Sequence, residues 1–160
     1  MCKETKDLGE ILDIYENELC GRMFKYKLSG KIDVEIVFYK ENFCHLLGLQ
    51  HIYGKNKKYL GINGYNNIKS GQLKRNNLKK HNKGEYNRIA IKLDHFDEIF
   101  DMLNSGEFIK FYQYRTNPIS LIVADFIIYH DKSEYILHLF LRQERNGRKS
   151  NGKVDVHDDN

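Results

Sequence analysis

The chain has 160 residues and a formal net charge of +4, with 41% hydrophobic and 30% charged residues. That length suits one domain able to bury roughly 70% of its unfolded surface, and the composition excludes a chain disordered throughout. No run reaches the ~18 apolar residues of a transmembrane helix, the N-terminus lacks a signal-like apolar stretch, and Cys2, Cys20 and Cys44 cannot close a disulfide framework; a cytoplasmic protein with no membrane partner is expected.

The charge is concentrated. Residues 54–92 carry Lys55, Lys57, Lys58, Lys69, Lys74, Arg75, Lys79, Lys80, Lys83, Arg88 and Lys92 against one acid, Glu85. Acidic segments lie on both sides, at 1–20 and 93–107. Such a block reads either as a footprint for a polyanion or as a solvated face of a Lys-rich protein.

In chain order, Leu8, Ile11, Leu12, Tyr15 and Leu19 follow helical spacing, and Gly21 stops the helix. Phe24, Tyr26 and Leu28 alternate with lysines; after Ser29-Gly30-Lys31, Ile32, Val34, Ile36 and Phe38 alternate with acids. This predicts a β-hairpin. Asn42 and Gly48 bound a short helix carrying Phe43, Cys44, His45, Leu46 and Leu47. Residues 50–68, with Gly54, Gly61, Gly64 and Asn66-Asn67, read as loop, and 69–83 as basic and weakly helical.

Tyr86, Ile89, Leu93, Phe96, Phe100 and Leu103 recur at intervals of three and four, which predicts one helix over residues 85–104 ended by Gly106. Residues 108–114, 119–129 and 135–142 read as strands, with a hairpin connection at His130-Asp131-Lys132-Ser133. Residues 143–160 read as a polar, mobile tail. The expected architecture is α+β: residues 1–142 form one domain with N-terminal helices on a mostly antiparallel sheet of about four to five strands.

Metal and nucleotide motifs are missing: there is no H-E-x-x-H, G-x-x-x-x-G-K-[ST] or G-x-S-x-G, and no paired zinc spacing among the seven histidines. No metal site and no cofactor are expected. What remains is an acid/base set. His45 projects about 200° from Phe43 on a helix, so it can face a cleft while Phe43 anchors the turn; the plain alternative is a half-buried structural histidine. His138 and Arg142 share one strand face. Asp125 interrupts an apolar run and needs a partner, with Arg142, His138 and Lys110 available across the sheet. These residues serve equally in structural pairs. Lys55, Lys57, Lys58, Lys69, Lys74, Arg75, Lys79 and Lys80 are the expected RNA-contacting cations. Tyr53, Tyr59, Tyr65 and Tyr86, interleaved with them, can stack on unpaired bases or pack inside.

Phe43-Cys44-His45-Leu46-Leu47-Gly48-Leu49-Gln50-His51 resembles the F-x-H-L-[LIT]-G-[LF]-H-K signature of a phage- and Firmicute-associated nuclease family. That family belongs to the barnase–EndoU–colicin–RelE-like (BECR) group of RNases. The resemblance covers residues 8–142 and includes Asn87-Arg88-Ile89 opening the long helix and Ile122-Val123-Ala124-Asp125-Phe126. It implies metal-independent RNA cleavage through a 2′,3′-cyclic phosphate, with His45 as acid/base and Arg88, Asp125 and Arg142 as phosphate or orienting groups. Where the family pattern has His-Lys after the glycine pair, this chain has Gln50-His51, and His51 is the expected functional substitute. The family's closing strand, with an S-F-F-like element, has no counterpart in residues 143–160. A toxin or phage-conflict effector with RNA as substrate and an antitoxin or immunity protein as partner is the expected function. The alternative is a catalytically inactive RNA- or protein-binding module of the same fold.

Overall fold

The computed structural model of the chain describes residues 5–28, 32–110, 126–132 and 134–141. Helix α1 is Leu8–Glu18, started by a reciprocal cap: the Asp7 carboxylate accepts from the Leu8 N–H at 2.9 Å and the Asp7 N–H donates to Glu10 at 2.7 Å. Its predicted stripe is buried, with Leu8, Ile11, Tyr15 and Leu19 at 1% exposure or less. Strands β1 (Met23–Leu28) and β2 (Ile32–Val37) form the predicted hairpin, pairing Phe24 with Ile36 and Tyr26 with Val34. Rings from four elements meet around Tyr15, whose centroid lies 4.8 Å from Phe43, 6.3 Å from Phe96 and 6.5 Å from Phe38. These contacts join α1, the hairpin exit, the His45 segment and the later helices into one core.

After the hairpin come α2 (Phe43–Leu46) and α3 (Leu49–Tyr53). Gly48 ends α2, as expected, in a left-handed conformation at φ +83°. Asn42 does not cap α2; its amide oxygen accepts instead from the Tyr39 N–H at 2.9 Å. The loop expected over 50–68 is mostly helical: α3 runs to Tyr53, Lys57–Tyr59 is a 3₁₀ turn, and α4 spans Gly61–Lys69. The weakly helical stretch contains α5, Arg75–His81. Propensity failed here because tertiary contacts decide: Ile52, Tyr65, Ile68, Leu73 and Leu78 are all buried.

The long helix is divided. Helix α6 is Lys83–Asp94, a 3₁₀ turn covers Phe96–Glu98, and α7 is Ile99–Ser105. At the break, His95 Nδ1 lies 2.9 Å from Glu98, and Tyr135 donates its hydroxyl proton to the same carboxylate. The His95 and Tyr135 rings are 4.3 Å apart. A tightened turn keeps the apolar residues on one side, so the spacing alone could not reveal it.

The strands also correct the expectation of one sheet. Among the described residues, β1–β2 is a separate two-stranded sheet, and β3 (Glu107–Lys110), β4 (Phe126–Asp131) and β5 (Ile136–Leu141) form an antiparallel sheet of three. The hairpin is held to α7 by side chains instead of extending that sheet: Phe24 meets Phe100 at 6.3 Å, and the Tyr26 hydroxyl donates to the Leu103 carbonyl. Residues 119–125 and 142–160 lie outside the described residues.

Gly64 sits where α4 crosses α2 and the Lys57–Tyr59 turn. A Cβ there would lie 2.3 Å from the Tyr59 carbonyl oxygen and 2.6 Å from Cys44 Sγ. Gly64→Ala is therefore expected to lower stability by about 1–3 kcal/mol in a urea melt. Cys44→Ala in the same chain should recover only part of the loss, because the backbone oxygen remains in the way.

Candidate functional site

The His45 segment is fastened from behind. Phe43, Cys44, Leu46, Leu47 and Leu49 are 1% exposed or less, which leaves His45 as the half-buried polar side chain of α2, its Nε2 out of solvent. Burial pushes the Cys44 thiol up to about 12, so it is an inert packing group beside the histidine. His51, six residues on in α3, is exposed and lies 3.4 Å from the Gln50 amide nitrogen. Gly48 brings this corner against α6. A Cβ on it would stand 3.0 Å from Ile89 Cγ2 and 3.4 Å from His51 Cδ2. The turn between the two histidines thus abuts the residue following Arg88. Arg88 itself is on the surface, paired at 3.2 Å with Glu85 one turn earlier.

The basic block divides into surface and interior. Lys55, Lys57, Lys58, Lys74, Lys79 and Lys80 are exposed. Lys69 is exposed too, but its ammonium is bonded at 2.5 Å to Glu16. That bond, with a second from the Tyr65 hydroxyl, holds the Glu16 carboxyl below the usual carboxylate range. Tyr65 is 2% exposed, and burial with the Glu16 bond raises its phenol to about 12; its ring is closed to a base.

Arg75 is also corrected. It is 7% exposed, and its guanidinium donates to the Tyr86 hydroxyl at 2.8 Å, the Lys6 carbonyl at 3.0 Å and Asp94 at 2.7 Å. Burial works against the charge, yet the bonds to Tyr86 and Asp94 leave Arg75 above its ordinary value. It is an internal clamp, and it occupies the Tyr86 hydroxyl. Tyr53 and Tyr59 are half-buried, stacked on each other at 4.1 Å with 21° between ring planes.

Asp125 and Arg142 lie outside the described residues. The three-stranded sheet brings together a row that sequence spacing did not: Glu107 is opposite Tyr129, and Tyr129 opposite His138. Paired residues share a sheet face. The Tyr129 hydroxyl donates to the Glu107 carboxylate, which raises the phenol above its ordinary value. His138 Nδ1 is buried without a hydrogen-bond partner among the described residues. The Glu107 and His138 positions are thus about 10 Å apart at the backbone with Tyr129 between them, and among the described contacts only Tyr129 and Glu107 are bonded. The hairpin connection after His130 was the available signal for the Tyr129–His138 pairing; nothing local marked Glu107. Among the described residues no three His, Cys, Asp or Glu gather as a metal-ligand group, and no helix is long and apolar enough to cross a membrane.

The family model described as phage-Barnase-EndoU-ColicinE5/D-RelE like nuclease4 matches residues 7–160. The match extends past residue 142, where the sequence resemblance ended. No curated protein and no solved structure matches the chain.

Proposed function

The chain belongs to this family of BECR-like nucleases, and on that basis we propose that it is a metal-independent endoribonuclease acting in the cytoplasm. The reaction removes the 2′-hydroxyl proton, lets the 2′-oxygen attack phosphorus, and protonates the departing 5′-oxygen, leaving a 2′,3′-cyclic phosphate. His45 is one proton-transfer group and His51 the second. Arg88 supplies positive charge near the phosphate, and Asp125 and Arg142 orient and neutralise. The observation that carries this reading is the Gly48–Ile89 contact, which sets the His45–His51 turn against the helix bearing Arg88. The exposed lysines downstream supply the attraction for RNA.

With that activity we propose a toxin or phage-conflict role, with an antitoxin or immunity protein as the partner that restrains it. The test is incubation of single-stranded RNA with the purified chain in EDTA, with the product ends analysed. Cyclic phosphate termini and slowed growth of cells expressing the chain are expected. Salt-sensitive RNA binding with intact RNA would replace the enzyme by an inactive binding module.

A further inference from the structure

The basic block contains an aromatic groove that the cleavage chemistry does not use. Tyr53 ends α3, Tyr59 closes the 3₁₀ turn and His81 ends α5. The Tyr53 ring stacks on Tyr59 at 4.1 Å and meets the His81 ring at 4.6 Å. Together with Gln72, Asn77 and Lys80 they line a space of about 310 Å³. That is the small end of ligand-site volumes. It suits one base with its sugar and is too small for a longer stretch of strand.

The platform is set in advance. Asn63 donates its amide to the Lys57 carbonyl at 3.2 Å, and Asn67 to the Lys58 carbonyl at 2.8 Å. These bonds fix the turn that carries Tyr59 against α4. Ordered rings lose little freedom when a ligand stacks on them.

The polar groups around the rings are complementary to a nucleotide. Asn77 Oδ1 is taken by the Lys74 N–H at 2.8 Å, which leaves its NH₂ as a donor for an acceptor on a base edge. Gln72 is exposed and carries both a donor and an acceptor. Lys80 lines the groove, Lys58 Nζ lies 5.4 Å over the Tyr59 ring, and Lys57 and Lys79 are exposed nearby in sequence. No acid occurs between Gly54 and Gly84.

We propose that this groove seats one unpaired nucleobase of the RNA, stacked against the Tyr59 ring beside the Tyr53–His81 pair, its edge met by Asn77 and Gln72 and its phosphate by Lys80. The choice of RNA rests on the nuclease reading. The test therefore uses strands that cannot be cleaved. Octamers with 2′-O-methyl sugars lack the attacking hydroxyl, so binding is read by fluorescence anisotropy whether or not the chain is a nuclease.

The wild-type chain is expected to bind a base-bearing octamer about tenfold or more tighter than an abasic octamer of equal charge. Tyr59→Ala should lose about tenfold on the base-bearing strand with an unchanged salt slope, and Tyr59→Phe should restore it. Lys80→Ala should flatten the salt slope by about one contact. Equal wild-type affinity for the two octamers overturns the proposal and needs no variant. So does a folded Tyr59→Ala chain that binds as the wild type does. Absence of RNA cleavage would overturn the enzyme reading and leave the stacking result standing.

Discussion

Arg75→Ala is expected to lower stability by about 3 kcal/mol, seen as a fall of roughly 6–12 °C in melting temperature. The residue opens α5, and the start of that helix is tied to two others through it. Its backbone N–H donates to the Asp7 carboxylate at 2.7 Å, the same carboxylate that starts α1. Its guanidinium reaches Asp94 at 2.7 Å on α6, the Lys6 carbonyl at 3.0 Å and the Tyr86 hydroxyl at 2.8 Å. Removing it leaves a carboxylate, a carbonyl and a phenol without their donor in a region only 7% exposed at Arg75. Arg75→Lys should recover less than half, because an ammonium is one compact donor group and cannot span three directions. Arg75→Met should cost less than Arg75→Ala, since it keeps the buried stem. Thermal melts of the three variants decide. A melting temperature within about 1 °C of wild type, with weakened RNA binding, would return Arg75 to the RNA-contacting surface.

Arg75 also shows where a sequence stops being informative. Counting cations places it in a basic block, but burial is set by Lys6, Tyr86 and Asp94, which no local pattern connects to it. Tyr65 was misplaced for the same reason: its neighbours in sequence are polar, and its hydroxyl goes to Glu16 on another helix. Elements whose stability is written in their own periodicity were legible, namely α1, the β1–β2 hairpin and the apolar face running from Tyr86 to Leu103. Helices α3, α4 and α5 were not, because glycines and asparagines that weaken a helix alone serve it in place. Gly64 lets α2 and the Tyr59 turn approach, and Asn63 and Asn67 hold backbone carbonyls of that turn. Within the candidate site, the His45 element was legible from its spacing. The Glu107–Tyr129–His138 row was not, because strand register depends on pairings far apart in the chain.

The row gives the His45 prediction its edge. With His45 as a proton-transfer group, His45→Ala should slow RNA cleavage in EDTA by about 10²–10⁴-fold. The fold should tolerate the change, because Phe43, Cys44 and Leu46 hold α2 in the core and His45 is only half-buried; a melt of the same variant checks this. His51→Ala should reduce the rate as well, while His138→Ala, on the sheet, should leave it within a few-fold of wild type. The reverse pattern, loss in His138→Ala and Glu107→Gln with full activity in His45→Ala, would move the chemistry to the sheet row. The pH dependence of the rate adds an independent reading. Two histidines working as acid and base give a bell whose limbs both vanish with the pair. Residual activity in His45→Ala that keeps both limbs of the wild-type bell would mark His45 as a residue that positions the site and does not itself transfer a proton.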